Sequence, residues 1–175
     1  LNFPLFIKPN EGGSSFGISR ITKRDDIIKS LEKCYKENSD ALIEEEIQGR
    51  EISVGVIFYN NKVMALPPTE IISHNEFFDY NAKYKGQSDE ITPAELDEDK
   101  IKEVKSLAIN IYHKLNLRGF TRSDFILKNN KFYFLEVNTN PGLTKESILP
   151  QQAKAAGINI NKLFESVLKW KKLYI

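Results

Sequence analysis

Residues 120–142 have the sequence FTRSDFILKNNKFYFLEVNTNPG, the most informative part of this chain for its fold. Two runs rich in apolar and aromatic residues, 120–127 and 132–137, flank a polar segment that contains Asn129-Asn130. Strand-like runs separated by a few turn-forming residues are typical of a β-hairpin. We therefore predict two neighbouring antiparallel strands at this point of the chain.

Four polar side chains fall on one face of these two strands. Side chains two apart on a strand point the same way, so Arg122 and Asp124 share a face, as do Glu136 and Asn138. Two carboxylates and an amide oxygen are hard ligands suited to magnesium. Arg122 beside them can hold a phosphate or a carboxylate through paired hydrogen bonds. The competing interpretation is a surface hairpin with ordinary solvated charges.

A shared metal ion also determines how the two strands pair. Both carboxylates face one side only if Asp124 lies opposite Glu136, which in a regular ladder sets Ile126 opposite Phe134. A two-residue turn at 129–130 without a compensating bulge would leave the carboxylates on opposite faces. We therefore predict an odd-length loop between the strands.

A glycine-rich segment, residues 9–17, follows a predicted short strand at residues 3–7. The side chain of Lys8 and the backbone N–H groups around Ser14 and Ser15 can converge on an anion such as phosphate. The segment has neither the Gly-Lys-Ser/Thr of a Walker A loop nor a Gly-x-Gly-x-x-Gly fingerprint. A ligand-binding loop and a flexible connection both stay open.

Three consecutive glutamates lie in a predicted strand at residues 41–47, where Glu44 and Glu46 share a face. One interpretation is a charged edge strand that resists aggregation. The other gives one glutamate to the ribose of a nucleotide, and gives backbone groups near Glu46 and Ile47 to adenine. The spacing alone does not decide between them.

Helices and a second hairpin account for the remaining segments. Apolar residues three and four apart predict helices over residues 25–38, 95–116, 145–156 and 162–173, with Asp25 as the first cap and Gly157 as the third helix's stop. Residues 52–59 and 62–66 predict a hairpin through Asn60-Asn61, and residues 67–93 predict an irregular segment. This mixed order of elements favours an α+β fold.

The composition limits the classes of partner. The 175 residues include 25 basic and 24 acidic side chains, for a net charge of +1, so a nucleic-acid partner is not implied. Cys34 is the single cysteine, which excludes an intrachain disulfide and favours the cytoplasm. No apolar run approaches the ~20 residues of a membrane span. The chain opens with Leu1 and a strand-like run, so we expect it to begin inside a fold.

The order of motifs resembles that of the D-alanine:D-alanine ligases, members of the ATP-grasp superfamily. The motifs are Phe6-Ile7-Lys8-Pro9, Glu11-Gly12-Gly13-Ser14-Ser15-Phe16-Gly17, Leu42-Ile43-Glu44-Glu45, Gly49-Arg50-Glu51, Tyr80-Asn81-Ala82-Lys83-Tyr84, Arg122-Ser123-Asp124 and Leu135-Glu136-Val137-Asn138-Thr139-Asn140-Pro141-Gly142-Leu143-Thr144. The Ala-Lys-Tyr and Asn-Thr-x-Pro-Gly-x-Thr elements are the most specific to that family. Together the motifs run through nearly the whole chain.

The resemblance implies a reaction and a set of site residues. ATP would phosphorylate the carboxylate of one D-alanine, and the amine of a second would attack the acyl phosphate to give a dipeptide for peptidoglycan. The implied nucleotide contacts are Lys8, Ser15, Glu44, Glu46, Ile47, Glu51 and Lys83. The implied catalytic residues are Arg122, Ser14, Tyr84 and Gly142; the ligands of two magnesium or manganese ions are Asp124, Glu136 and Asn138; and the contacts to the second alanine are Ser147 and Ile148.

The resemblance also implies a partial ATP-grasp fold. Residues 1–40 would belong to the lid subdomain and residues 41–175 to the carboxy-terminal subdomain, while the family's amino-terminal domain is missing. We therefore expect a fragment that is inactive alone, from an enzyme that forms a homodimer in the cytoplasm without nucleic-acid or membrane partners. The alternatives are a nucleotide-binding module and a ligase for another amino acid.

Overall fold

The computed structural model describes residues 1–11, 16–37, 40–73 and 88–173. Its strands are β1 Leu5–Pro9, β2 Ser19–Ile21, β3 Ala41–Glu45, β4 Arg50–Tyr59, β5 Lys62–Ala65, β6 Thr69–Ser73, β7 Ser88–Ile91, β8 Phe120–Lys128 and β9 Lys131–Asn138. Its helices are α1 Ile27–Tyr35, α2 Glu98–Lys114, α3 Ile148–Ala155 and α4 Ile160–Leu173. None of the helices in these ranges has the length and apolar character needed to cross a membrane.

The chain divides into two compact units, and the first contains the described residues of Leu1–Gln48. Its three strands pair in the order β2-β1-β3, and both pairings are antiparallel. One face of this sheet packs against α1 through a buried cluster of Leu5, Ile7, Ile21 and Cys34. The division falls after β3, whereas the predicted subdomain boundary lies before it. The assignment of the units to subdomains of the family stays a prediction.

The start and the buried face of α1 differ from the prediction. A short 3-10 helix, Arg24–Asp26, precedes α1, so Asp26 and not Asp25 is at the N-cap position. Cys34 is a small core residue as predicted, but Ile28 is 66% exposed. Successive residues are 100° apart around a helix, so Ile28, six residues before Cys34, points about 120° away from it. Cys34 faces the sheet, and Ile28 lies outside that buried stripe.

The second unit comprises Gly49–Ile72 and Asp89–Ile175. Its sheet has the order β7-β6-β4-β8-β9, and β5 also pairs with β4. One buried cluster joins α2 to residues of β4, β5, β8 and β9, and another joins α3 and α4 to residues of and near β4. The separate helices and the antiparallel pairing of β4 with β5, β6 and β8 confirm the predicted α+β class.

The predicted irregular segment at residues 67–93 contains two strands, β6 and β7, at its described ends. The prolines just before Thr69–Ser73 led to the prediction of a loop. In the structure this run pairs with β4, and Ile71 lies opposite Glu51. Residues 74–87 lie outside the described part of the chain. The prediction of an irregular segment was therefore wrong at both described ends.

Both hairpins turn through two asparagines. Asn60-Asn61 joins β4 to β5, with Tyr59 opposite Lys62, as predicted. All four turn asparagines, in this hairpin and at 129–130, have positive φ. Asparagine tolerates that conformation, and two such residues in succession give the type I′ turn that matches the twist of paired strands.

The odd-length loop predicted between β8 and β9 is wrong, although Asp124 does lie opposite Glu136. Lys128 pairs with Lys131 across a two-residue turn, and Ile126 lies opposite Tyr133 rather than Phe134. A shift of one residue between Asp124 and the next pair then restores the predicted carboxylate pairing. This β-bulge supplies the extra residue that the prediction placed in the loop.

Helix α3 ends where the sequence predicts. Gly157 has a φ of 74°, the left-handed conformation that glycine adopts without strain. Its N–H donates to the Lys154 carbonyl at 2.9 Å, and the Ile158 N–H donates to the Ala153 carbonyl at 2.8 Å. This pair of bonds is the Schellman arrangement, which satisfies the last carbonyls of a helix.

Candidate functional site

One charged pair in the first unit lies on the sheet face away from α1. Phe6 lies opposite Glu44 in the β1–β3 pairing, so Lys8 and Glu44 point to the same side. The Lys8 Nζ atom is 2.6 Å from the Glu44 Oε2 atom. The structure thus brings together two of the predicted nucleotide contacts.

A second charged pair on that face joins Arg20 of β2 to Glu46, the residue just after β3. The guanidinium of Arg20 donates from Nε and from Nη2 to the two carboxylate oxygens of Glu46, each at 2.8 Å. The hydrogen bonds from Arg20 lower the pKa of Glu46, although burial opposes the shift. The Glu46 N–H donates to the Pro4 carbonyl at 3.0 Å. Arg20 was missed in the sequence because its partner depends on the register of β2.

The four polar residues predicted in the second unit do share one face of β8 and β9. Asp124 lies opposite Glu136, and Arg122 lies opposite Asn138. Asp124 and Arg122 are 5% and 8% exposed, whereas Glu136 is exposed. A buried acid and a buried base therefore lie beside an acid that solvent can reach.

Asp124 is held by two neighbours that bind its oxygens unequally. Its Oδ1 atom accepts hydrogen bonds from the Ser53 Oγ at 2.7 Å and the Arg122 Nε at 3.0 Å. Its Oδ2 atom accepts from the Arg122 Nη2 at 2.8 Å. Each carboxylate oxygen offers two lone pairs. Among the described residues, Oδ2 is therefore the Asp124 oxygen with a lone pair left to bind a cation.

Acidic neighbours compensate the burial of Arg122. Burial lowers the pKa of the Arg122 guanidinium, but Asp124, Glu136 and Glu51 raise it further, so the net shift is upward. Glu51 on β4 lies opposite Ile126 of β8. Ile126 is two residues after Asp124, so Glu51 is on the same face as Asp124. The group is therefore a fixed positive charge among three carboxylates.

The predicted metal ligands form a set of two carboxylates and one amide. Asn138 is half-buried, and its Oδ1 atom accepts a hydrogen bond from the Asn140 N–H at 2.9 Å. Within the described ranges, no three His, Cys, Asp or Glu side chains gather in a group that could hold a metal ion. A metal ion here would thus need the amide oxygen besides Asp124 and Glu136, and all three are oxygen donors of the kind magnesium prefers.

The loop after β9 approaches the start of α3 closely. A Cβ atom on Gly142 would lie 2.6 Å from the Ser147 Oγ, so a side chain there would collide. That hydroxyl shares a 2.9 Å hydrogen bond with the Thr144 Oγ1 and does not cap α3. The N–H groups of Ile148 and Leu149 have no partners within the helix, Pro150 has no N–H, and the Gln151 N–H donates to the Ser147 carbonyl. The first two N–H groups are suited to bind a carboxylate.

Four predicted site residues cannot be placed. Ser14 and Ser15 in the glycine-rich segment, and Lys83 and Tyr84 in the Ala-Lys-Tyr element, lie outside the described residues. Their roles stay predictions.

Two polar residues that interact with the second unit's site were not predicted from the sequence. Ser53 lies two residues after Glu51, so strand alternation could have placed it on the ligand face. Glu90 on β7 accepts a hydrogen bond from the Gln151 Nε2 at 3.0 Å and feels the charge of Arg122. Its segment had been predicted as irregular, so no alternation was available to find it.

Comparison with known sequences identifies a family match over most of the chain. Residues 1–169 match the family model described as D-ala D-ala ligase C-terminus. The chain is 48% identical over 169 residues to a D-alanine--D-alanine ligase of Christiangramia forsetii, covering 97% of this chain and 52% of that protein. It is 47% identical to the Flavobacterium johnsoniae ligase, with the same coverage. The chain thus spans about half the length of the curated relatives it matches.

The fold of the chain is similar to that of solved ligase structures. The D-Ala:D-Ser ligase VanG from Enterococcus faecalis matches with a TM-score of 0.86 and 31% identity, over 97% of this chain and 50% of that one. A D-alanine--D-alanine ligase from Bacillus anthracis matches with a TM-score of 0.80 and 37% identity, over 96% and 54%. A structure of a D-alanine--D-alanine ligase from Bacillus anthracis complexed with ATP matches with a TM-score of 0.79 and 31% identity, over 96% of this chain and 52% of that one.

Proposed function

Because this chain belongs to the D-ala D-ala ligase C-terminus family and has part of the ATP-grasp fold, we propose that it is the ATP-binding part of a D-alanine:D-alanine ligase. The observation that carries the proposal is the pairing of Asp124 with Glu136 beside the buried Arg122. In the proposed reaction, the γ-phosphoryl group of ATP passes to the carboxylate of one D-alanine. The amine of a second attacks that carbonyl, and ADP, phosphate and the dipeptide leave.

Asp124, Glu136 and Asn138 would hold magnesium, with manganese as an alternative and two ions as the proposed number. Their donor set fits: three oxygen ligands lie on one face, and the Asp124 Oδ2 keeps a lone pair. When bound, the metal would neutralise charge on the nucleotide and on the transferring phosphoryl group. The Ser53 and Arg122 donors hold the Asp124 carboxylate in one orientation before any ligand arrives.

Arg122 and the backbone of Gly142 would stabilise the oxyanion that forms when the amine attacks. The raised pKa of Arg122 keeps its guanidinium charged, and a fixed charge in a buried site costs no reorganisation during the reaction. Ser147 and the N–H groups at the start of α3, including that of Ile148, would bind the second alanine's carboxylate. A helix N-terminus favours an anion through its unpaired donors and its dipole.

The nucleotide would be bound by Lys8, Ser15, Glu44, Glu46, Ile47, Glu51 and Lys83, and the site would be closed by Ser14 and Tyr84. Lys8, which is paired with Glu44, would supply the positive charge that binds a phosphate group. Both carboxylate oxygens of Glu46 accept from Arg20, which favours its backbone as the nucleotide contact. Residues 1–40 would then be lid and residues 41–175 the carboxy-terminal subdomain.

The test is substrate-dependent turnover by the full-length enzyme. With ATP, magnesium and D-alanine, it should release ADP and phosphate in step with D-alanyl-D-alanine, measured by coupled assay and mass spectrometry. ADP release that does not depend on D-alanine would overturn the proposal. D-Serine should be assayed as the second substrate too, since one matched structure is a D-Ala:D-Ser ligase. A preference for D-serine would assign the chain to that activity.

The chain as it stands should bind Mg-ATP weakly and make no dipeptide, because it spans about half the length of its relatives. Phosphate release that depends on D-alanine, measured on this chain alone, would refute this. We further propose a homodimeric, cytoplasmic enzyme without membrane or nucleic-acid partners. Sedimentation of the full-length protein tests the dimer.

A further inference from the structure

Gln152 on α3 is a polar side chain with no exposure to solvent, and both the nitrogen and the oxygen of its amide are hydrogen-bonded. Its Nε2 atom donates to the Ser53 carbonyl at 2.8 Å and to the Thr69 Oγ1 at 3.0 Å. Its Oε1 atom accepts from the Gly55 N–H at 2.9 Å. An amide has two N–H donors, and both are used here, so removing it would leave buried groups unpaired.

The Gln152 amide occupies a gap beside β4. On that edge, β6 pairs with residues 51–53 and β5 pairs with residues 56–59, so Val54 and Gly55 lie between the two partner strands. Gln152 bonds the carbonyl before Val54 and the N–H after it, as a neighbouring strand would do. The side chain therefore continues the sheet's pairing where none of the described strands pairs, and it ties α3 to the sheet at that point.

Gly55 makes this close approach feasible. A Cβ atom there would lie 2.5 Å from the Leu149 Cδ1 and 2.6 Å from the Gln152 Oε1. Helix α3 thus touches the backbone of β4 directly. Such a contact fixes the depth of the helix against the strand, because neither a longer nor a shorter side chain can replace the amide without moving it.

Both ends of this link reach the candidate site. Ser53, whose carbonyl accepts from Gln152, donates through its own hydroxyl to Asp124. One turn before Gln152, α3 begins at Ile148, next to Ser147. The Gln152 amide is therefore a rigid connection between the strand that orients Asp124 and the helix terminus suited to a carboxylate.

We propose that Gln152 is a positioning residue that sets the distance between Asp124 and the start of α3, and so the fit of the second amino acid. The proposal rests on the function proposed above. Gln152 itself touches no substrate. Its loss should weaken the second amino acid's binding far more than that of ATP, because only the second amino acid would bridge the helix terminus and the sheet.

The experiment compares Gln152→Met with Lys154→Met in the full-length enzyme. Methionine nearly keeps the volume of glutamine but leaves the Gly55 N–H and the Ser53 carbonyl unpaired. Lys154 is exposed on the same helix and serves as the matched control. We expect Gln152→Met to raise KM for the second D-alanine by about tenfold, as misplaced binding groups do, and to leave KM for ATP within about twofold. Lys154→Met should change neither.

Thr69→Val covers the case in which Gln152→Met fails to fold, since it removes one bond to Gln152 with little change in shape. It also removes the hydrogen bond that the Thr69 Oγ1 shares with the Thr92 Oγ1 at 2.6 Å. With the donor of Gln152 left unpaired, it should raise KM for the second D-alanine by about threefold. Equal increases in both KM values, or none, would show a merely structural role and overturn the inference. If the unsubstituted enzyme makes no dipeptide, the proposed function fails and the inference fails with it.

Discussion

The two asparagine hairpins of the second unit have the same type of turn but differ in the pairing of the strands that follow it. In the β4–β5 hairpin, four residue pairs follow the turn at 60–61 without a register shift. In the β8–β9 hairpin, the turn at 129–130 is followed by four regular pairs and then by a bulge. Only beyond that bulge do Asp124 and Glu136 lie opposite each other.

The difference shows which part of a hairpin sets the candidate site. Without the bulge, the two-residue turn would place Asp124 opposite Leu135, and Glu136 would point to the other face. A one-residue slip moves a whole strand's side chains across the sheet. The turn therefore starts the pairing, and the bulge decides which residues of β9 reach the ligand face.

The largest effect should follow from Glu136→Gln in the full-length enzyme. The substitution keeps the shape of the side chain and removes the charge that the proposed metal site needs. We expect turnover to fall by about a hundredfold, and affinity for magnesium, followed by competition with manganese, to fall with it. Glu103→Gln, on α2, is the control and should leave both unchanged. Full turnover at saturating magnesium would remove Glu136 from the metal site.

A paired substitution in the turns tests the comparison directly. Valine is β-branched and resists positive φ, so Asn60→Val and Asn129→Val should each cost about 1–2 kcal/mol of unfolding free energy, measured by urea denaturation. Only Asn129→Val should also reduce magnesium affinity, since β5 carries none of the proposed ligands. Equal losses of metal affinity in the two variants would contradict a site that depends on the β8–β9 register.

Much of the fold could be predicted because strands and helices leave local patterns. The spacing of apolar residues gave α2 and the strands β4, β5, β8 and β9 to within a few residues of their observed bounds. The stop at Gly157 was predicted as well, since the left-handed conformation is local chemistry. The asparagine turns belong to the same class of signal.

The bulge and the buried link could not be predicted, because both depend on distant partners. The bulge is a shift in the pairing of β8 with β9, so it involves both strands and leaves no pattern within either one. Gln152 interrupts an apolar helix face, and that interruption was the one available signal. Its meaning depends on the gap between β5 and β6, and β6 had been predicted as irregular. Arg20 was also not predicted, because its partner Glu46 is distant in the sequence.

Glu90 on β7 carries a titratable charge that interacts with Arg122 of the bulged hairpin. Burial raises the pKa of Glu90, although the bond from Gln151 and the charge of Arg122 oppose the shift. The unfolded chain therefore loses this proton first, and stability falls as pH rises from the ordinary glutamate pKa to the folded one. Glu90→Gln should abolish that decline in urea unfolding measured between pH 4 and 8.

Glu46→Gln gives the opposite sign and serves as the comparison. The pKa of Glu46 is lowered chiefly by its bonds from Arg20, so its contribution to stability is present above the ordinary pKa and is lost as pH falls through the folded one. The variant should be less stable than the parent at neutral pH and should approach it in acid. The same pH dependence in both variants would refute the assigned causes.

The smallest effect should come from Thr121→Val, on β8, the strand of the bulged hairpin that pairs with β4 of the other hairpin. Thr121 lies on β8 opposite Val56 of β4, and it is 1% exposed. Its Oγ1 atom is buried and has no hydrogen-bond partner among the residues that the structure describes. A buried hydroxyl without a partner costs about 1 kcal/mol or more in lost hydration, so valine, which has nearly the same shape, should raise the unfolding free energy by up to about that amount. Turnover should not change, because Thr121 points away from the face that holds Asp124 and Arg122. Ser53→Ala provides the contrast, since it removes a hydroxyl that does have a partner and should destabilise the chain. A loss of stability in Thr121→Val as large as that in Ser53→Ala would mean that Thr121 is hydrogen-bonded after all.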